Sequence, residues 1–260
     1  DMPWGNGIGA LRWNHIFSSK LFMNVSATMT DYQFSFISSQ DEFRFKLKSG
    51  IRDWGGKVDF TFFPNSRHKI KYGLDYIFHT FTPLSVSAEN DDTVFDTGAA
   101  QKLTNHESAA YLLDEFDLTE NIRFNAGLRY SMFQHVGPFI RYIDGGIGQP
   151  DTTINFNKGE LIQFYHGLEP RVSMRWMLPG KSSIKAGYSF NYQYVQLTSL
   201  SAVSLPTDIW YPSTNIVQPQ EGWQASLGYF KNLLNNKIET SVEVYYKGMN
   251  NLIEFEEGAL

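Results

Sequence analysis

The sequence lacks cysteine and any long apolar run, and both absences narrow the kinds of protein it can encode. With no cysteine among its 260 residues, it can form neither a disulfide nor a cysteine-ligated metal site. No stretch approaches the roughly 20 consecutive apolar residues that a membrane helix needs, and the mean hydropathy is −0.32. If the chain crosses a membrane, it must do so as a closed β-barrel, the other structure that satisfies every backbone hydrogen bond in lipid.

Charge and histidine are also sparse. Charged residues make up 19% of the chain and the formal net charge is −5, so the sequence offers no basic surface for nucleic acid. The six histidines form neither an H-x-x-x-H nor an H-E-x-x-H pair, the spacings that bind metal on a helix. We therefore predict no nucleic-acid partner, no metal site and no cofactor.

The sequence does contain a two-residue alternation of apolar and polar side chains, the period of a strand with two different faces. In one clear example, Ile122, Phe124 and Ala126 alternate with Arg123 and Asn125. Aromatic residues reach 16%, an enrichment typical of strands and membrane interfaces. Ten segments carry the pattern and are predicted strands: 7–17, 21–30, 51–63, 69–78, 105–118, 122–132, 167–178, 183–194, 221–232 and 237–249.

The length of these segments and of their connections predicts an all-β fold, an antiparallel transmembrane β-barrel of the outer membrane. Most segments exceed the 5–6 residues usual in soluble strands and match the ~9–11 that cross a bilayer. Short periplasmic turns and long outside loops are typical of such barrels, and they disfavour the alternative, a soluble β-sandwich. Tight turns fall at 18–19, 64–67, 119–121, 179–181 and 233–236, and long links near 35–50, 82–104, 135–166 and 196–220.

The alternation also assigns a direction to individual side chains. The apolar set is predicted to face lipid: Leu128, Tyr130, Val172, Met174, Ala186, Tyr188, Val242 and Val244, with Tyr192 and Tyr194 on the same face. The polar set is predicted to face a wet lumen: Arg129, Arg171, Ser173, Lys185 and Glu243.

Ten strands with a short first connection put both chain ends on the outside, whereas a complete outer-membrane barrel normally begins and ends in the periplasm. An open sheet edge cannot persist in lipid. We therefore expect residues 1–260 to be one section of a larger β-barrel domain.

Several short motifs give the sequence a family resemblance. The run from His106 to Phe116, followed by Asn125 to Tyr130, resembles the "aaY-x-x-D-e … n-x-G-x-R-y" hairpin of TonB-dependent receptors. The order of the remaining motifs resembles the barrel of the branch with a carboxypeptidase-regulatory-like N-terminal extension. These are Glu169-Pro170-Arg171, Leu205 to Pro212, Gln218-Pro219-Gln220, Gly228-Tyr229-Phe230 and Glu243 to Lys247.

That resemblance implies a 22-stranded barrel, an N-terminal plug, a TonB box and uptake of a scarce nutrient energised through TonB. The sequence contains no candidate plug or TonB box, which agrees with a barrel section that supplies wall and extracellular loops. The expected partners are outer-membrane lipid, the TonB complex through the plug, and a nutrient ligand whose identity is not readable. A surface lipoprotein partner is left open.

The candidate ligand-binding residues are Trp210 and Tyr211, which share one long extracellular loop with Pro206, Pro212 and Pro219. Aromatic rings offer a large contact area at low entropy cost, so the pair could stack against a ligand. The alternative is structural, with prolines and buried aromatics holding the loop in one shape.

We predict no catalytic residues and no enzyme activity. The alternative is a small outer-membrane protease or lipase with an active site at the barrel rim. It would rest on His79 with Asp91 and Asp92 in the following loop, because a hydrolase needs a histidine oriented by a carboxylate. No G-x-S-x-G motif accompanies them.

Overall fold

The fold is built from β-strands. A computed structural model describes residues 1–40, 43–89, 94–96, 101–143, 145–146, 152–198 and 209–253. No helix in these ranges has the length and apolar character needed to cross a membrane. The strands are β1 Trp4–Ser18, β2 Leu21–Gln40, β3 Phe43–Asn65, β4 His68–Glu89, β5 Val94–Asp96, β6 Leu103–Asp117, β7 Ile122–Val136, β8 Phe139–Ile143, β9 Thr152–Phe156, β10 Leu161–Leu178, β11 Ser182–Gln193, β12 Val195–Thr198, β13 Ile209–Pro212, β14 Gln220–Leu233 and β15 Ile238–Asn250.

Ten long strands form one antiparallel sheet in the order β1-β2-β3-β4-β6-β7-β10-β11-β14-β15. Each pairs with its neighbour in sequence, and each corresponds to one of the ten predicted segments, so the predicted strand set is confirmed. The short β5 extends the sheet beside β4, while β8-β9 and β12-β13 form two separate hairpins inside long links. The tight turns lie at one rim, called the turn rim, and the long links at the other, called the far rim.

One predicted link is wrong. Most of the segment 35–50 is strand: β2 continues to Gln40 and β3 begins at Phe43, with Gln40 opposite Phe43. Strands β2, β3 and β4 are 20, 23 and 22 residues long, well beyond the predicted segments. They form a tall wall at the far rim.

The sequence pattern did not predict the far-rim ends of β2 and β3, because the apolar–polar alternation changes phase within these strands. Up to Met29, which pairs with Trp54, the apolar residues of β2 and β3 share one face. One step further along that face, Asp31 pairs with Arg52. From this pair toward the far rim, the apolar residues lie on the opposite face, and they include the buried Phe34. A search for one unbroken alternation therefore stops at the inversion.

The two predicted sets do occupy opposite faces. Paired residues share a face, and Leu128 lies opposite Leu112 and Pro170, whereas Arg129 lies opposite Tyr111 and Glu169. We call the face of Leu128 the outer face and that of Arg129 the inner face. Large apolar side chains stand exposed on the outer face: Leu11, Leu74, Leu112, Leu128, Leu168, Val172, Leu227, Val242 and Val244.

Tyr194 is an exception to the predicted faces. Its hydroxyl lies 2.8 Å from Ser131 Oγ, and its ring stacks on Phe133 with centroids 5.1 Å apart. Both partners belong to the inner face, and the Tyr192 ring lies against Gly167 on that same face. The prediction that Tyr192 and Tyr194 face outward is therefore wrong. The alternation of β11 thus fails at its far-rim end, just before the strand ends at Gln193.

The assigned faces predict opposite effects for two adjacent residues. Val172→Arg places a cation at mid-height of the outer face and should destabilise the full-length protein in lipid by about 2–4 kcal/mol. Ser173→Arg, one residue along on the inner face, should change stability by no more than about 0.5 kcal/mol. Urea unfolding in lipid vesicles measures both. Equal destabilisation by the two variants would contradict the register.

Candidate functional site: the inner face at the far rim

A row of polar side chains crosses the inner face perpendicular to the strands. The strand register places Thr30 opposite Asp53, Asp53 opposite His79, His79 opposite Asn105, and Asn105 opposite His135. The row therefore spans β2, β3, β4, β6 and β7. Residues far apart in sequence are brought together because each strand contributes one side chain at the same position of the ladder.

Hydrogen bonds fix the orientation of this polar row. His79 Nδ1 lies 2.8 Å from Asp53 Oδ1, and His135 Nδ1 lies 2.8 Å from Asn105 Oδ1. The second ring nitrogen of His79 faces Glu107 Oε2 at 3.6 Å, which is too long for a hydrogen bond. His79, Asn105 and His135 are buried. A buried histidine thus stands between two carboxylates.

The hairpin formed by β12 and β13, called the inner hairpin, covers part of this face. Strand β13 contacts β4 and β3. Tyr194, just before the hairpin, is anchored on Ser131 and Phe133 as described above. The fully buried Gln196 donates from Nε2 to the Gln218 carbonyl at 3.0 Å and accepts from Gln220 Nε2 at 3.0 Å. The hairpin is therefore tied both to the barrel wall and to its own return segment.

Between the inner hairpin and the wall lies a cavity of about 510 Å³. The hairpin contributes Val195, Leu197 and Trp210. The wall contributes Asn6, Thr30, Tyr32, Ile51, Asp53, His79 and Glu107. One side of the cavity is therefore apolar and aromatic, and the opposite side carries two carboxylates and a histidine. A ligand with an apolar surface on one side and hydrogen-bond donors on the other matches this arrangement.

The two candidate binding residues point in different directions. Successive strand residues face opposite sides, and Trp210 lines the cavity whereas Tyr211, paired with Gln196, does not. Burial raises the pKa of the Tyr211 phenol, so it stays protonated and able to donate a hydrogen bond at neutral pH. Pro212 is fully buried, as the structural interpretation of this loop requires. Pro206 lies outside the described residues.

Asp53 and Glu107 were missed by sequence reasoning. Each sits on a strand among many other polar residues, and nothing in its local sequence distinguishes it. Only the register, which no single segment reveals, shows that both flank His79.

The constellation proposed for an enzyme differs from what the structure contains. Asp91 and Asp92 lie outside the described residues, and the carboxylates beside His79 are those of Asp53 and Glu107. Within the described ranges, no serine or threonine hydroxyl forms a hydrogen bond with His79. In that same part of the chain, no group of three or more His, Asp or Glu side chains is placed to hold a metal ion.

The sequence matches the family described as TonB dependent receptor-like, beta-barrel over residues 4–259. No curated protein matches the sequence.

Solved structures share the fold at low sequence identity. The copper transporter OprC superposes with a TM-score of 0.68 at 14% identity, covering 94% of this chain and 39% of that one. The siderophore receptor PiuA from Acinetobacter baumannii gives 0.63 at 11% identity, with 94% and 40% covered. The ferric yersiniabactin uptake receptor FyuA from Yersinia pestis gives 0.60 at 10%, with 95% and 36% covered. The chain thus spans well under half the length of these proteins.

The anchoring of the inner hairpin can be tested at Tyr194. Tyr194→Phe keeps the ring stack but removes the hydrogen bond to Ser131, which is worth about 1 kcal/mol. The backbone amides of residues 195–198 and 209–211 should then exchange about fivefold faster in hydrogen exchange of the full-length protein.

Ser131→Ala should have the same effect, and the double variant should add nothing further, because the one bond is already lost. Tyr245→Phe, at an exposed tyrosine, is the matched control and should leave exchange unchanged. Additive effects of the two single variants would contradict the assigned contact.

Proposed function

This chain belongs to the TonB-dependent receptor-like β-barrel family, a family of outer-membrane receptors, and on that premise we propose that it supplies barrel wall and extracellular loops to a protein that imports a scarce nutrient. Uptake would be energised by the TonB complex acting through a plug. Outer-membrane lipid surrounds the wall, and a surface lipoprotein is a further partner that the proposal allows.

The observation that carries the proposal is the cavity beneath the inner hairpin. It opens on the inner face, where a substrate must pass, and it combines an aromatic wall with a fixed polar wall. Ligand sites typically pair apolar lining with a few oriented polar groups. An arrangement held by buried hydrogen bonds presents these groups without reorganisation on binding.

The roles of the two aromatic residues follow from their positions. We propose that Trp210 contacts the nutrient directly, opposite Asp53 and His79. Tyr211 faces away from the cavity, and its contribution to binding is to hold the hairpin against the return segment. The nutrient would present an apolar surface to the tryptophan and hydrogen-bond donors to the carboxylates. The copper and siderophore names of the structural relatives describe those proteins and are not transferred to this one.

Trp210→Ala should weaken nutrient uptake about fivefold, because a ring contact of this kind is worth on the order of 1 kcal/mol. The measurement is uptake by cells that carry the full-length receptor, with a labelled panel of ferric chelates, cobalamin, oligosaccharides and peptides. Ile216→Ala is the control, since Ile216 is an exposed residue of the same loop that does not line the cavity.

Deletion of TonB should abolish uptake in every case. Uptake that persists without TonB would contradict the proposal that the protein is a TonB-energised transporter. TonB-dependent uptake that is equal in Trp210→Ala and the parent would instead remove only the proposed role of Trp210.

We also propose that the protein is not an enzyme. Both ring nitrogens of His79 face carboxylates, those of Asp53 and Glu107. Neither nitrogen is therefore free to accept a proton from a serine or threonine hydroxyl, as a hydrolase mechanism requires. We expect the purified, detergent-folded full-length protein to hydrolyse neither ester nor peptide substrates. A hydrolytic activity that disappears in His79→Ala would overturn this proposal.

A further inference from the structure

The outer face changes character just beyond Trp54. Below that residue the outer face of β3 carries apolar side chains, and Trp54 itself is exposed there between Met29 and Phe78. Toward the far rim the same face of β3 continues with Arg52, Gly50, Lys48 and Lys46. A lipid-facing surface thus ends in a tryptophan, and a cationic surface begins immediately beyond it.

The cationic surface includes a shallow groove. It has a volume of about 340 Å³, and its outer-face lining includes Gln33, Lys48, Arg52, Thr80, Thr82 and Lys102. We call this the outer groove. The residue at its centre, Gly50, has no side chain to fill it. The groove faces away from the lumen, so it lies off any transport path through the barrel.

Most of the positive charge in the outer groove is uncompensated. Arg52 donates from Nε to Asp31 Oδ2 at 3.0 Å. Lys48 and Lys102 form no ion pair with any of the described residues. Three cations therefore face one carboxylate, and the neighbouring threonine hydroxyls and glutamine amide add neutral hydrogen-bond donors. The arrangement fits an anion that carries more than one charge and several acceptor oxygens.

The position of the outer groove identifies the source of that anion. Tryptophan on a lipid-facing surface sits at the headgroup level of a bilayer. The far rim is the outside rim, because short turns are periplasmic in this class of barrel. Groups directly beyond Trp54 therefore meet the headgroups of the outer leaflet.

We propose that the outer groove binds a phosphate group of the anionic glycolipid in the outer leaflet. A phosphate monoester carries a charge of about −1.5 to −2 and three acceptor oxygens, which match the excess charge and the donors of the groove. Lys48 and Lys102 hold the phosphate as point charges from two sides. Arg52 is kept in place by Asp31 at the lower edge, next to the lipid.

The test uses the full-length receptor folded in detergent and purified lipopolysaccharide as the probe. Receptor–lipid complexes are counted by native mass spectrometry across a titration. The double variant Lys48→Gln with Lys102→Gln should bind the lipid roughly 10- to 30-fold more weakly, since each lysine near an anionic surface contributes about 1 kcal/mol. Lys181→Gln with Lys237→Gln removes the same charge from the turn rim and should bind as the parent does.

Two further measurements distinguish binding of the lipid from binding of a free anion. Lipopolysaccharide stripped of its phosphates should bind the parent as weakly as the double variant binds the intact lipid. Inorganic phosphate, added as a competitor, should not displace the intact lipid, whose acyl chains lie against the apolar outer face. Equal binding by the parent and the Lys48/Lys102 variant, or full displacement by inorganic phosphate, would overturn the proposal. Retained heat-modifiable mobility on gels shows that the variants are folded.

Discussion

Every backbone amide and carbonyl at membrane depth must find its partner within the sheet, and the rest of this structure depends on that constraint. The requirement is met by an antiparallel meander in which each long strand pairs with the next one in sequence. Between β3 and β4 the register is unbroken from Gly50 to Phe62. A register fixed in this way aligns side chains from different strands, and the polar row from Thr30 to His135 exists because of it.

The second organising feature is the inversion of the two faces beyond the membrane. Within the membrane, lipid requires apolar side chains on the outer face, whereas the inner face tolerates polar ones. Beyond the membrane, water surrounds the outer face and favours polar side chains there. On β3 the change takes place between Trp54 and Arg52. On the inner face beyond the membrane, aromatic side chains such as Phe81 and Phe133 are buried, and loops pack against them. Outside, it exposes the lysines of the outer groove. The cavity and the groove thus arise from one change of environment.

Close packing at the inner face explains why the hairpin is held in a defined position. A Cβ atom at Gly167 would lie 2.1 Å from the Tyr192 ring, so only glycine allows that tyrosine to approach the wall. Tyr192 in turn stacks on Tyr194, whose hydroxyl is hydrogen-bonded to Ser131. This series of contacts carries the loop from the end of β11 over the lumen and brings Trp210 opposite His79. A loop anchored in this way holds Trp210 in a fixed position, which lowers the entropic cost of the ligand contact proposed for it.

The sequence by itself determined the strand set, the two faces and the family, because alternation, tight turns and short motifs are local signals that survive without knowledge of neighbours. It located Trp210 and Tyr211 in a long loop but could not separate their roles, since these depend on which side of the hairpin each occupies. It predicted a loop at 35–50 where strands continue, because the phase of the alternation there is set by the membrane boundary. Asp53, His79 and Glu107 come together only through the register of three strands. That pairing is a property of the whole sheet, and so only the tertiary structure could decide it.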